Sequence, residues 1–115
     1  MTTHCNYVLL FSDGSVKVGV TSRPETRVAE ICSAKRHSAR LVQGTFTPPC
    51  EKADAFQIEA NLCSLLSHRA NDGTREWFRG GAEEYQFLRQ TTGMFWQMIC
   101  NQNRAKELNY NEVAA

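Results

Sequence analysis

The sequence predicts an α+β domain in which a small three-stranded antiparallel sheet is flanked by helices. Three observations predict it. Residues 7–20 read as two short β-like runs around an Asp-Gly turn, and residues 51–67 and 82–98 carry apolar side chains at helical spacing. A further β-like run, residues 39–46, falls between helical segments. At 115 residues the chain is long enough for one hydrophobic core and short for two. A single domain over 1–115 is expected, with its core at about 6–79 and a C-terminal helix at about 82–108.

The first element is the apolar run 7–11, ended by Ser12, Asp13, Gly14 and Ser15; residues 16–20 then alternate with period two. Asp-Gly between such runs is a strong hairpin signal. Two registers are open. A two-residue loop at Asp13-Gly14 pairs Phe11 with Val16 and puts Tyr7 and Lys17 on opposite faces. A three-residue loop with a left-handed Gly14 pairs Phe11 with Ser15 and puts Tyr7 and Lys17 on one face.

Ser22 or Thr21 can cap the next helix, with Pro24 in its first turn and Glu25 at its positive end. Val28, Ile31 and Cys32 continue it to about Ala34, and Lys35, Arg36, His37 and Ser38 close it in a basic loop. Residues 39–46 are the third strand, broken by Thr47-Pro48-Pro49. The second helix runs from about Glu51 to Ser67. At ~100° per residue its Glu59 falls inside the apolar stripe formed by Leu62, Cys63 and Leu66. A carboxylate there needs a cation, a metal, hydrogen-bond donors or an escape to water. Asn71–Thr74 is a loop, and Trp77 and Phe78 are read as core anchors for the last helix rather than a base-stacking platform. That helix carries Tyr85, Leu88, Phe95, Met98 and Ile99 on one face, with Gly93 marking a kink; the tail after Leu108 is expected to fray.

Composition narrows the function classes. A hydrophobic fraction of 42% and a charged fraction of 22% are those of an ordinary globule, and the net charge of +1 names no partner. Residues 1–48 hold six Lys/Arg against three Asp/Glu, a local +3, which suits a phosphate-rich partner without requiring one. No run nears the ~20 apolar residues that span a bilayer, and no basic-then-apolar leader opens the sequence. Five cysteines without a C-x-x-C pair argue against structural zinc and for a reducing, cytoplasmic compartment. Nucleotide-loop, nucleophile-elbow and zinc-protease motifs are absent from the sequence, and His4, His37 and His68 lack ligand spacing. Tyr7, Lys17, Arg27 and Glu59 remain as the one constellation with chemical character.

At those residues the chain resembles the GIY-YIG nuclease superfamily. Asn6-Tyr7-Val8, Lys17-Val18-Gly19, Arg27 early on the first helix and Glu59 on the second follow its order. The run from Val16 to Arg27 looks especially like a small phage-borne branch that reads K-I-G-x-T, then x-P-E-x-R, A-F-x-I-E-x-x-L and E-W-F. The later pieces here are Ala55 to Leu62 and Glu76-Trp77-Phe78. The resemblance covers roughly residues 6–79.

The resemblance implies a three-stranded antiparallel sheet with helices, and hydrolysis of DNA phosphodiesters with one divalent ion, Mg²⁺ or Mn²⁺, held by Glu59. It makes Arg27 the holder of the scissile phosphate and Lys17 the activator of water, in place of the second motif's tyrosine. Tyr7 completes the network, and this role favours the three-residue loop. Arg23, Lys35, Arg36 and Arg40 are the expected DNA contacts; a protein partner or homodimer would supply specificity. A lysine acts as a base only where burial or nearby positive charge favours its neutral form. Cys5 and Asn6 stand where the family has Gly and Ile, and Ile31 stands where a polar side chain is common. The alternative reading is a catalytically silent phage accessory protein that keeps the fold and binds DNA or a host or phage protein. Arg27, Lys35, Arg36 and Arg40 serve either reading, and the plain structural alternative for Arg27 is a helix-surface pair with Glu30 or Glu25.

Overall fold

The computed structural model describes residues 3–65, 77–100 and 111–114. Among them the chain runs β1 (Cys5–Phe11), β2 (Ser15–Thr21), α1 (Pro24–Lys35), β3 (Leu41–Phe46), α2 (Lys52–Leu65), β4 (Trp77–Arg79), α3 (Gly81–Cys100) and β5 (Asn111–Ala114). The α+β class and the three central strands are those the sequence predicts. The expected loop at 71–74, residues Arg75 and Glu76, and the end of the last helix at 101–108 lie outside the described residues.

The sheet is wider than expected. Its order is β4-β2-β1-β3-β5, every pair antiparallel, so two edge strands flank the predicted three. Instead of fraying, residues 111–114 pair with β3, joining Ala114 to Gln43 and Asn111 to Phe46. Backbone ladder bonds hold such a strand whatever its side chains, which is why composition gave no sign of it.

The hairpin adopts the three-residue turn. Leu10 faces Val16, Leu9 faces Lys17 and Tyr7 faces Gly19. Gly14 has φ 87°, the left-handed conformation that favours glycine, and its N–H donates to the Phe11 carbonyl at 3.0 Å. Strand alternation then sorts the side chains into two layers. Tyr7, Leu9 and Phe11 meet Ile31, Val28 and Cys32 of α1 on one face. On the other, Val8, Leu10, Val16 and Val18 meet Ala55, Ile58 and Leu62 of α2 and Tyr85, Leu88 and Trp96 of α3.

Local chemistry sets the helix boundaries. The N-cap of α1 is Arg23, with no side-chain cap, and the Arg23 N–H donates instead to Thr21 Oγ1 at 3.0 Å. Pro24 follows at the first helical position, where a missing N–H is harmless. The last helix runs unbroken through Gly93. Trp96 anchors it by donating its indole N–H to the Pro48 carbonyl at 3.1 Å, and Tyr85 shares a hydrogen bond with Thr45.

The cysteines behave as small core residues. All five are free thiols, and burial pushes the Cys50 thiol up to about 12 and the Cys5 thiol up to about 11. Among the described residues no helix is long and apolar enough to cross a membrane.

Candidate functional site

Tyr7 and Gly19 sit directly opposite each other on β1 and β2. The Tyr7 ring lies across Gly19 so closely that a Cβ there would overlap the phenol oxygen and Cζ and stand 2.9 Å from Cε2. The missing side chain of Gly19 is the slot that takes the ring. Tyr7 is 2% exposed, and its hydroxyl reaches the guanidinium of Arg27 on α1. That guanidinium is held above its ordinary value, first by the hydrogen bond and charge of Tyr7. Burial opposes the shift, and Glu30 adds to it.

Arg27 also forms a helix-surface ion pair, with Nη1 at 3.2 Å from Glu30 Oε1. The alternative pairing expected for Arg27 is therefore present, but it coexists with the contact to Tyr7.

Lys17 projects from the same sheet face as Tyr7, two residues before Gly19. It is 5% exposed, and its Nζ lies 5.4 Å from the centroid of the Trp77 ring, its cross-strand partner on β4. The sequence predicts both Trp77 and Phe78 as core anchors for the last helix. Phe78 is there, but Trp77 turns to the other face, because neighbours on a strand point opposite ways. Its ring packs against Phe11 at 5.8 Å and also receives Lys35, whose Nζ is 4.6 Å from the centroid.

Lys35 is tied down further. Its ammonium is 3.2 Å from Asp13 Oδ2, while the Ser15 N–H and hydroxyl donate to Asp13 Oδ1 at 3.0 and 2.6 Å. Burial would raise the Asp13 carboxyl, but Ser15 and Lys35 together hold it at about 2. The end of α1, the hairpin tip and Trp77 thus form one clamp beside Lys17.

Glu59 comes from the opposite layer. It is half-buried on α2, within the arc that runs from Ile58 through Ala55 and Leu62 to Cys63. The sequence puts Glu59 inside the apolar stripe, and the structure leaves it half-buried there; the sequence does not indicate which sheet face α2 covers. Pairing with β4 stops at Lys17, so among the described residues Val18–Thr21 have no strand partner on that side. Among the described residues no three His, Cys, Asp or Glu side chains group as a metal site. A single carboxylate half-sunk among apolar residues fits an oxygen-preferring ion that keeps most of its waters, as Mg²⁺ does.

The four expected DNA contacts are spread along α1 and the segment after it. Arg23 stands at the start of α1, while Lys35 and Arg36 stand at its end, about 18 Å away at 1.5 Å per residue. Arg36 is exposed and donates from Nε to His37 Nε2 at 3.2 Å. Arg40 is exposed, with its N–H bonded to Ser12 Oγ at the hairpin tip. Lys35 is engaged in the clamp just described.

No curated protein and no solved structure matches the chain. A model of the T5orf172 domain matches residues 5–91, well over half of it. The match takes in both faces of the hairpin, α1, α2 and the strand that carries Trp77, and the chain belongs to this phage-associated, nuclease-like T5orf172 domain family.

Proposed function

We propose that this chain is a metal-dependent endonuclease of the GIY-YIG kind that hydrolyses DNA phosphodiester bonds. The observation that carries the reading is the Tyr7–Gly19–Arg27 arrangement. A glycine in the second strand gives up its side chain so that a tyrosine of the first can lie across it and meet an arginine of the first helix. Core packing alone does not call for such an arrangement, since a buried phenol is satisfied by any nearby acceptor.

Hydrolysis requires charge growing on a five-coordinate phosphate to be neutralised at a partly dry surface. Arg27 is always charged and presents a planar fork suited to two phosphate oxygens. By donating to the Tyr7 oxygen it fixes that hydroxyl's direction, so the phenol proton is aimed rather than rotating. Lys17 brings a second positive group on the same face, and the Trp77 ring restricts its swing. Glu59 would hold the Mg²⁺ or Mn²⁺ ion, which supplies Lewis-acid stabilisation and a more acidic water. The remaining ligands would be water and the substrate's own phosphate oxygens.

Nicking of supercoiled plasmid in Mg²⁺ or Mn²⁺ tests the reading. Wild-type protein is expected to nick, and Glu59→Ala to lose the activity while binding plasmid normally in Ca²⁺. A wild-type protein that binds plasmid and leaves it intact in both metals refutes the enzyme and favours a silent, DNA-binding domain.

A further inference from the structure

Asn6 is a polar residue where the packing calls for an apolar one. It is 2% exposed and sits on the face covered by α2 and α3, opposite Val20 and beside Val8. Its backbone is fixed twice to the segment after β3. The Asn6 N–H donates to Thr47 Oγ1 at 2.9 Å, and the Thr47 N–H donates to the Asn6 carbonyl at 2.9 Å. Its side chain crosses to the next layer, where Nδ2 donates to the Ala55 carbonyl of α2 at 2.9 Å.

That last bond settles the orientation of the amide. A carbonyl can only accept, so the nitrogen must face Ala55 and the oxygen must face away. Oδ1 is then buried with no hydrogen-bond partner among the described residues. An unsatisfied acceptor inside a core is unfavourable, and a leucine, with the same branched shape, would carry none. A local rule broken without gain in stability points to a role elsewhere.

The position indicates that role. In the helical ladder the Ala55 carbonyl is also the acceptor for the Glu59 N–H. Asn6 therefore bonds to the turn that presents Glu59, and it is the residue before Tyr7. We infer that Asn6 is a positioning residue that fixes the Glu59 turn of α2 to the strand carrying Tyr7, and so sets the spacing of two groups held in opposite layers. The inference rests on the nuclease reading of Glu59 and Tyr7, and one readout below is independent of that reading.

The experiment compares wild type with Asn6→Leu, and with Asn6→Ala should the leucine variant not fold. It measures melting temperature, single-turnover plasmid nicking across a Mg²⁺ titration, and hydrogen exchange of the 55–59 amides. Asn6→Leu is expected to melt at or above the wild-type temperature. Its nicking rate is expected to fall roughly 10- to 100-fold, as when supporting partners of a metal site are removed. The Mg²⁺ concentration giving half-maximal rate should rise several-fold, and plasmid affinity in Ca²⁺ should stay within about twofold, since no phosphate contact is touched. An unchanged Mg²⁺ dependence overturns the inference, whether or not stability falls. If wild type itself does not nick, the nuclease reading fails separately, and exchange at Glu59 decides. Faster exchange of its amide in the variant at equal melting temperature supports the coupling, and unchanged protection overturns it.

Discussion

The ring of Tyr7 occupies the space that a side chain at Gly19 would fill. This one relationship joins the turn to the site. Only the three-residue turn, with Gly14 left-handed, brings Tyr7 opposite Gly19 and leaves Lys17 on the same face. A slip of one residue would send Tyr7 into the other layer, under α2 and α3, and break its contact with Arg27.

Gly19→Ala should therefore cost far more than glycine-to-alanine changes in strands usually do. The new Cβ must expel a buried ring, at about 1–3 kcal/mol. Nicking should fall by about 100-fold, since the Tyr7 hydroxyl leaves Arg27. The double variant Tyr7→Ala/Gly19→Ala checks the cause. With the ring gone the second substitution should become nearly free, giving a coupling energy of about 1–3 kcal/mol. Additive losses would mean that Gly19 serves something other than Tyr7.

Much of this was legible in the sequence, for identifiable reasons. Asp13-Gly14 and the alternation after it define a hairpin, and the motif order picks out Tyr7, Lys17 and Arg27. The helical wheel of α2 puts Glu59 inside the apolar stripe, where the structure leaves it half-buried. The edge strands were not legible. Trp77–Arg79 is too short for periodicity to register, and at 111–114 a backbone ladder needs no apolar pattern in the sequence. Trp77 and Phe78 read as one anchor in the sequence, but adjacent strand residues face opposite layers, so only Phe78 lies under α3. The basic residues are read off the chain by type alone, which does not give their spacing; α1 holds Arg23 a helix length from Arg36.

Trp77 should matter through Lys17. Its ring has Lys17, Lys35 and Phe11 around it, and a cation–π contact is worth about 0.5–1 kcal/mol at an exposed site and about 2 kcal/mol where the cation is buried, as Lys17 is. Trp77→Phe keeps an aromatic face and should nick within about threefold of wild type. Trp77→Ala frees Lys17 and should lower the nicking rate more than about tenfold with DNA affinity in Ca²⁺ unchanged. Loss of affinity instead of rate would make the indole a stacking platform for a base.

The Asp13 clamp gives a pH signature. Its carboxyl is held at about 2, below the ordinary carboxylate value of about 3.9, so the folded state favours the charged form. Its contribution is present in full above about pH 5 and disappears as pH falls through 2. Asp13→Asn should be less stable at neutral pH, by no more than about 0.5–1 kcal/mol, because the side chain is 36% exposed and screened by solvent. The stability difference between wild type and variant, followed from pH 7 to pH 2, should shrink toward zero. A constant difference would mean that Asp13 acts through turn geometry alone.

Arg27 has two partners, and they make opposite predictions. The pair with Glu30 joins side chains 43% and 58% exposed, and such helix-surface pairs are worth about 0.2–0.5 kcal/mol. If that pair were the purpose of Arg27, Glu30→Gln and Arg27→Ala would give similar small losses of stability and no change toward DNA. The contact with buried Tyr7 predicts asymmetry. Glu30→Gln should cost under about 0.5 kcal/mol and raise DNA affinity roughly two- to fivefold at low salt, since a negative charge beside the phosphate site is gone. Arg27→Lys keeps the charge but loses the planar fork, and should lower nicking by about 100-fold. Tyr7→Phe keeps the ring in the Gly19 slot and removes only the hydroxyl, so it should lose rate with little change in melting temperature. Plasmid binding by filter retention and single-turnover nicking separate these cases, and a nicking rate that ignores Arg27→Lys and Tyr7→Phe, with affinity that ignores Glu30→Gln, would reduce Arg27 to a solvated side chain on the outside of α1.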